Sequence, residues 1–219
     1  LVDVRGLSSL QTAGVGGYTT ALLHALFEID KENEYILLSS GVLAPTNPNP
    51  LLVRGGITHL HIPVPNKLLN LRTLLLRHPS RNWLTRESID LLFLPNLAIA
   101  ILPTDIPTVM TVHDLSWNLY PDFYSYKMQL WHKATRPHEL IAQSRSIITP
   151  SQSTKNDVER IFHAGNKTTV VPHGVSQLFS DKMQASDHGV RSRLKLPKHF
   201  ALFVGTIEPR KNLLALIEG

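Results

Sequence analysis

Cysteine is absent from all 219 residues, which excludes disulfides, thiolate nucleophiles and cysteine-bound metals. That usage suits a cytoplasmic protein. Long apolar runs are missing too. Leu91 to Leu102 comes nearest to the roughly 20 residues a membrane helix needs, and Pro95 and Asn96 interrupt it. No acidic residue lies between Arg54 and Arg86, so Arg54, Lys67, Arg72, Arg77, Arg81 and Arg86 stand without a counter-charge. Such a run is either a solvated face or a surface for phosphate or anionic lipid. A starting Met and a signal-peptide pattern are both lacking. Leu1-Val-Asp-Val-Arg5 reads as a strand already under way, and the natural start is expected upstream. HExxH spacing does not occur, and His59 and His61 alternate along an expected strand, so neither a metal site nor a metal cofactor is expected. The net charge of +5 comes with no nucleic-acid-binding motif, and nucleic acid is not an expected partner.

What is present is an ordinary globular balance, 42% hydrophobic and 18% charged, which argues against disorder. Short apolar runs alternate with segments of helical period, the pattern of an α/β protein with a mainly parallel, Rossmann-like sheet flanked by helices. Strands are predicted at 1–4, 35–38, 57–64, 89–94, 108–112, 147–149 and 168–171. Helices are predicted at 17–29, in one or two basic amphipathic pieces over 67–83, at 126–142, and from an N-cap at Ser151 or Ser153 to about Phe162. From Ser176 to Lys198 the apolar period fades, which marks a linker. A strong strand is predicted over 200–204, followed by a helix starting near Lys211.

Three segments have the composition of a ligand site. Gly14-Val-Gly16-Gly17 lies between a strand and a helix, where glycines admit a close ligand and the helix N-terminus offers N–H groups to an anion. The alternative is a tight turn into a helix; no Lys-Ser/Thr follows, so this is not a P-loop. His113 and Asp114 follow a strand, at the edge where open α/β sheets bind ligands. His113 can donate to a sugar hydroxyl or orient a phosphate; Asp114 can position the imidazole or cap the next segment. The bland reading is a histidine satisfied by nearby backbone. Glu208-Pro-Arg210-Lys211 follows Gly205, and paired cations at a helix start suit a diphosphate. The aromatic stretch Trp117, Tyr120, Phe123, Tyr124, Tyr126 and Trp131 can stack on sugars or sit at a membrane interface; its more common reading is core or domain-interface packing.

Taken in order, Val2-Asp-Val-Arg5, Thr12-Ala-Gly14-Val-Gly16-Gly17-Tyr18-Thr19, Thr111-Val-His113-Asp114-Leu115, Ile148-Thr-Pro-Ser151, Val170-Val-Pro172-His173-Gly174-Val175 and Phe203-Val-Gly205 through Pro209-Arg210-Lys211-Asn212 resemble the family-four glycosyltransferases. Those are retaining enzymes with two Rossmann-like domains. The resemblance implies an acceptor-side domain over 1–175, a linker over 176–199 and the start of a nucleotide-sugar domain over 200–219. It implies hexose transfer from a nucleotide-diphospho-sugar, as donor substrate rather than cofactor, to a hydroxyl of a saccharide or lipid-linked acceptor. His113 would act at the transferred sugar. Gly14, Gly16, Gly17, Arg210 and Lys211 would serve the donor phosphates, with Asp114 and Glu208 in support. Many members carry Arg directly after the strand's glycine, where this chain has Thr206, so Arg210 must supply that charge. The family's paired glutamates have no match in residues 1–219, so this stretch alone is expected to be inactive. The location expected is cytoplasmic, with peripheral contact to an anionic membrane through the basic Leu-rich segment. The alternative is a non-catalytic nucleotide-binding Rossmann module or a degenerate transferase remnant; the missing third glycine counts against a dinucleotide site.

Overall fold

The alternation of apolar strand and amphipathic helix produces, in the computed structural model, a sheet whose described strands all run parallel. The structure describes residues 1–8, 14–43, 56–76, 89–175 and 188–219. The predicted helix beyond Leu76, through Trp83, and the linker up to residue 187 lie outside the described residues. Contacts divide the chain into two units, Leu1–His173 and Gly174–Gly219.

In the first unit the strands are β1 (Val2–Asp3), β2 (Tyr35–Ser40), β3 (Ile57–Ile62), β4 (Leu92–Leu94), β5 (Thr108–Thr111), β6 (Ser146–Thr149) and β7 (Thr168–Val170). Their spatial order is β3-β2-β1-β4-β5-β6-β7. Val2 is paired with Leu37 on one side and Phe93 on the other, which fixes β1 at the centre. Central parallel strands are covered on both faces and read as continuous apolar runs. Every residue of β1 and β4 is accordingly buried.

Helices cover the sheet. Helix α1 (Val15–Ile29) buries Leu23 and Phe27, spaced to share one face, against Val2, Val4, Leu37 and Phe93. A second core holds Leu94, Met110, Val112, Leu115, Ile141, Ile147 and Val158. Each such side chain contributes about 1.5–3 kcal/mol relative to exposure. Helix α2 (Asn66–Leu76) buries Leu69 alone. Ser151 is the N-cap of a helix over Gln152–Phe162, its Oγ accepting from the Thr154 N–H at 3.1 Å.

Several boundaries differ from the sequence reading. Helix α1 starts at Val15, so Gly16 and Gly17 form its first turn and Gly14 alone is the turn residue before it. The strand read over 89–94 is confined to Leu92–Leu94, and the one read over 57–64 ends at Ile62. The single helix read over 126–142 is two, Tyr126–Ala134 and Pro137–Gln143. Pro137 lacks an N–H to continue a helix, and Arg136 before it turns to φ 53°.

In the second unit the residues 200–204 form no strand. Strand structure requires a ladder partner, and none of the described residues of this unit supplies one. Short helices occupy His188–Arg193, inside the stretch read as linker, and Leu213–Glu218, with a 3₁₀ turn at Pro209–Lys211.

Candidate functional site

The strand order itself locates a crevice. The chain winds from β1 through β2 to β3, then crosses to the other side of β1 to form β4. Between the carboxyl ends of β1 and β4 the windings diverge, and α/β sheets bind ligands at such a point. A cleft of about 330 Å³ lies there, lined by residues following β1 (Arg5, Gly6), residues following β4 (Pro95, Asn96), and Val15 and Gly16 of α1. It falls at the lower end of the about 300–1,000 Å³ typical of small-molecule sites.

Gly14 shapes one wall. It takes φ 63° and ψ −122° as the residue before α1, a combination that side chains other than glycine's resist. Among the described residues no side chain caps the helix, and its first turn holds no acidic residue. The N-terminal N–H groups of a 15-residue helix are therefore available to an anion.

His113 follows β5. Its Nε2 lies 2.9 Å from the carbonyl oxygen of Pro95, which can only accept, so Nε2 carries the proton. Burial lowers the imidazole pKa, partly offset by that bond; His173 lowers it further and Asp114 opposes this. The ring is thus neutral near pH 7 and presents Nδ1 as an acceptor. The donor role read for His113 is spent on Pro95 through Nε2; toward a sugar hydroxyl it is left to accept. Asp114 Oδ1 accepts from the N–H of Ser116 at 2.9 Å and from the Ser116 hydroxyl, at the start of the short helix Ser116–Leu119.

Tyr18 joins the glycine turn to this histidine. Its ring meets His113 edge-on at 4.7 Å and lies 4.7 Å from His173, and its hydroxyl is 3.1 Å from the buried Thr111 Oγ1. The backbone oxygen of His113 also accepts from Thr154 Oγ1 at 3.3 Å. First-turn α1, the end of β5 and the segment after β7 thereby form one cluster. Sequence reasoning had no role for Tyr18, Thr111 or His173; the signal available was that each stands beside a glycine or a strand end.

Residues 14–177 match Glycosyltransferase Family 4. The chain belongs to that family. The Family 4 match runs from the turn residue Gly14 past His173 and so contains the whole cluster. The chain is also similar to the O-antigen chain mannosyltransferase B of Escherichia coli, 26% identical over 149 residues, which cover 66% of this chain and 38% of that relative. It therefore spans less than half of the relative's length.

Within the second unit, Arg210 Nε donates to Glu208 Oε2 at 2.6 Å, so its charge is countered by its neighbour. Lys211 is exposed at the end of the 3₁₀ turn, one residue before Asn212, which takes φ 47°. Both cations precede the helix Leu213–Glu218 instead of occupying its first turn. Among the described residues no three His, Asp or Glu groups approach closely enough to hold a metal ion. Most of the aromatic stretch lies outside the core. Tyr120, Phe123, Tyr126 and Trp131 are exposed, and Trp131 lines the cleft. Trp117 does pack against the core.

Proposed function

We propose that the natural protein containing these residues is a retaining glycosyltransferase that moves a hexose from a nucleotide-diphospho-sugar to an acceptor hydroxyl. The observation that carries the reading is the uncapped N-terminus of α1, opening at Gly14 beside a neutral His113 in a Family 4 chain. Retention, donor and acceptor rest on the family resemblance. In this reading residues 1–175 form the acceptor-side domain, 176–199 a linker, and 200–219 the start of the donor domain. Gly14, Gly16 and Gly17 let the α1 N–H groups approach a phosphate of the donor, and Arg210 and Lys211 serve donor phosphates as the family resemblance implies. His113 accepts from a hydroxyl of the transferred sugar through Nδ1. No metal or resident cofactor takes part. The relative's mannosyl transfer supports a hexose as the group moved.

The acceptor is a saccharide or a lipid-linked saccharide. Support for a lipid-borne one comes from α2, where Leu68, Leu71, Leu75 and Leu76 are exposed beside Lys67 and Arg72. No helix among the described residues is long and apolar enough to cross a membrane. Contact would be peripheral and cytoplasmic, each basic residue adding about 1 kcal/mol at an anionic surface. Co-sedimentation indifferent to lipid charge removes that part of the proposal.

The test is turnover of the natural protein with a panel of nucleoside-diphospho-hexoses, read as released nucleoside diphosphate and as the anomeric configuration of the product. Substituting Lys211 by Ala is expected to lower kcat by about 10²-fold, the scale of losing one charge-stabilising group. Inverted product, or no turnover with any donor, ends the reading.

A further inference from the structure

An imidazole at a strand end keeps one orientation only if something beyond its own residue fixes it. The outer torsion of a histidine side chain is broad, so one hydrogen bond at one ring atom leaves the ring plane free to rock. The bond from His113 Nε2 to the Pro95 carbonyl, at 2.9 Å, is such a single point. The backbone beneath it is fixed separately, because the His113 carbonyl accepts from Thr154 Oγ1 at 3.3 Å. What these bonds leave open is the plane of the ring, and with it the direction of the Nδ1 lone pair.

Tyr18 supplies the missing restraint. Its ring stands 87° from the imidazole plane with the centroids 4.7 Å apart, an edge-to-face geometry that aromatic pairs favour. The tyrosine is itself tied down. Its N–H donates to the Gly14 carbonyl at 3.0 Å, at the start of α1. Its hydroxyl lies 3.1 Å from the buried Thr111 Oγ1. The exposed His173 ring lies on it at 4.7 Å, tilted by 33°. The ladder bond from the Val112 N–H to the Ile148 carbonyl carries extended backbone past Thr111. Thr111 and His113, as alternate residues of that stretch, share a face of the sheet. The phenol therefore reaches from one to the other, hydroxyl on the first and ring on the second. It is not needed to fill the core, which α1 reaches through Leu23 and Phe27, and it stays half-buried.

We propose that Tyr18 is a positioning residue for His113: anchored on Thr111 by its hydroxyl and steadied by His173, its ring sets the imidazole plane and so aims Nδ1 at the hydroxyl it is to accept from. What His113 does with that hydroxyl rests on the transferase reading above. How the ring is held does not, and the two are measured separately.

Nitrogen NMR of the natural protein, isotopically labelled at histidine, reads the ring directly. Above the ordinary imidazole pKa the unaltered protein should show His113 as one neutral tautomer, protonated on Nε2, with its two ring-nitrogen resonances well separated. Tyr18→Leu should broaden those resonances or draw them together as the ring exchanges between orientations. Tyr18→Phe keeps the aromatic ring and should restore the separation. In turnover, Tyr18→Leu should lower kcat by up to about 10²-fold, the scale of a misplaced group, with KM for the donor little changed. Tyr18→Phe should recover most of that loss. Added to His113→Ala, Tyr18→Leu should cost almost nothing further, because it acts through the imidazole. If Tyr18→Leu does not fold, His173→Ala, at an exposed position, should broaden the same resonances to a smaller degree. Unchanged His113 resonances in Tyr18→Leu, or in His173→Ala where only that variant folds, overturn the proposal, as does full additivity of the two kcat losses. Absence of turnover in the unaltered protein ends the transferase reading instead, and the resonances still decide the role of Tyr18.

Discussion

Gly14→Ala is the substitution whose cost the structure isolates most cleanly. Gly14 holds φ 63° and ψ −122°, and a Cβ built there meets no heavy atom within 4 Å. Steric overlap therefore contributes nothing, and the penalty is that of the backbone conformation, about 1–3 kcal/mol. In a domain of this size each kcal/mol lowers the midpoint by about 2–4 °C, so the expected shift is roughly 2–12 °C. Gly14→Asn is the informative partner. Asparagine tolerates the left-handed helical region, where ψ is positive, but not ψ −122°, so it should be about as destabilising as alanine. Urea unfolding followed by far-ultraviolet circular dichroism measures both variants against the unaltered protein. If both fall within about 0.5 kcal/mol of it, a change typical of an unconstrained surface site, or if asparagine alone restores stability, the role assigned to Gly14 is wrong. Because that residue sets the direction in which α1 leaves the sheet, Gly14→Ala should also weaken nucleoside diphosphate binding.

Two further outcomes are expected. Tyr18→Phe removes the hydroxyl 3.1 Å from the Thr111 Oγ1, a group 1% exposed, and should cost about 1–3 kcal/mol in urea unfolding; a stability equal to the unaltered protein would show that Thr111 finds another partner. The His113 pKa is lowered by burial, so the unfolded chain takes up its proton first as pH falls. Its contribution is complete above the ordinary value of about 6.5 and is lost as pH drops from there through the lowered folded value. His132, lowered mainly by its own burial, acts in the same direction. Stability measured from pH 8 down to pH 5 should decline, and His113→Gln should flatten the slope without abolishing it; an unchanged slope would remove His113 from the account.

Local chemistry determined much of this protein before folding is considered. The alternation of apolar strands with amphipathic helices specifies a parallel α/β sheet, because covered parallel strands read as continuous apolar runs such as Leu92-Phe-Leu94. Gly14, His113 and Ser151 were legible because each follows a strand or precedes a helix, positions whose backbone demands are local. The break at Arg136 is not legible from apolar period, which continues across it; the missing N–H of Pro137 is what divides the helix. Residues 200–204 have every local property of a strand, yet strand structure depends on a partner that no local pattern supplies.

Only the tertiary structure decided what gathers at the switch point. Strand order is set by how the windings bury their faces, so nothing along the chain announces that Arg5 and Asn96 share a cleft, 91 positions apart. The pairing of Arg5 with Asp3 is equally hidden: residues two apart on an extended strand share a face but run on side by side, and the turn beginning at Arg5 folds the guanidinium back onto the carboxylate. Tyr18 shows the same division. Its sequence neighbours made it a helix residue, and the packing of α1 against β5 made it the contact that joins Thr111, His113 and His173.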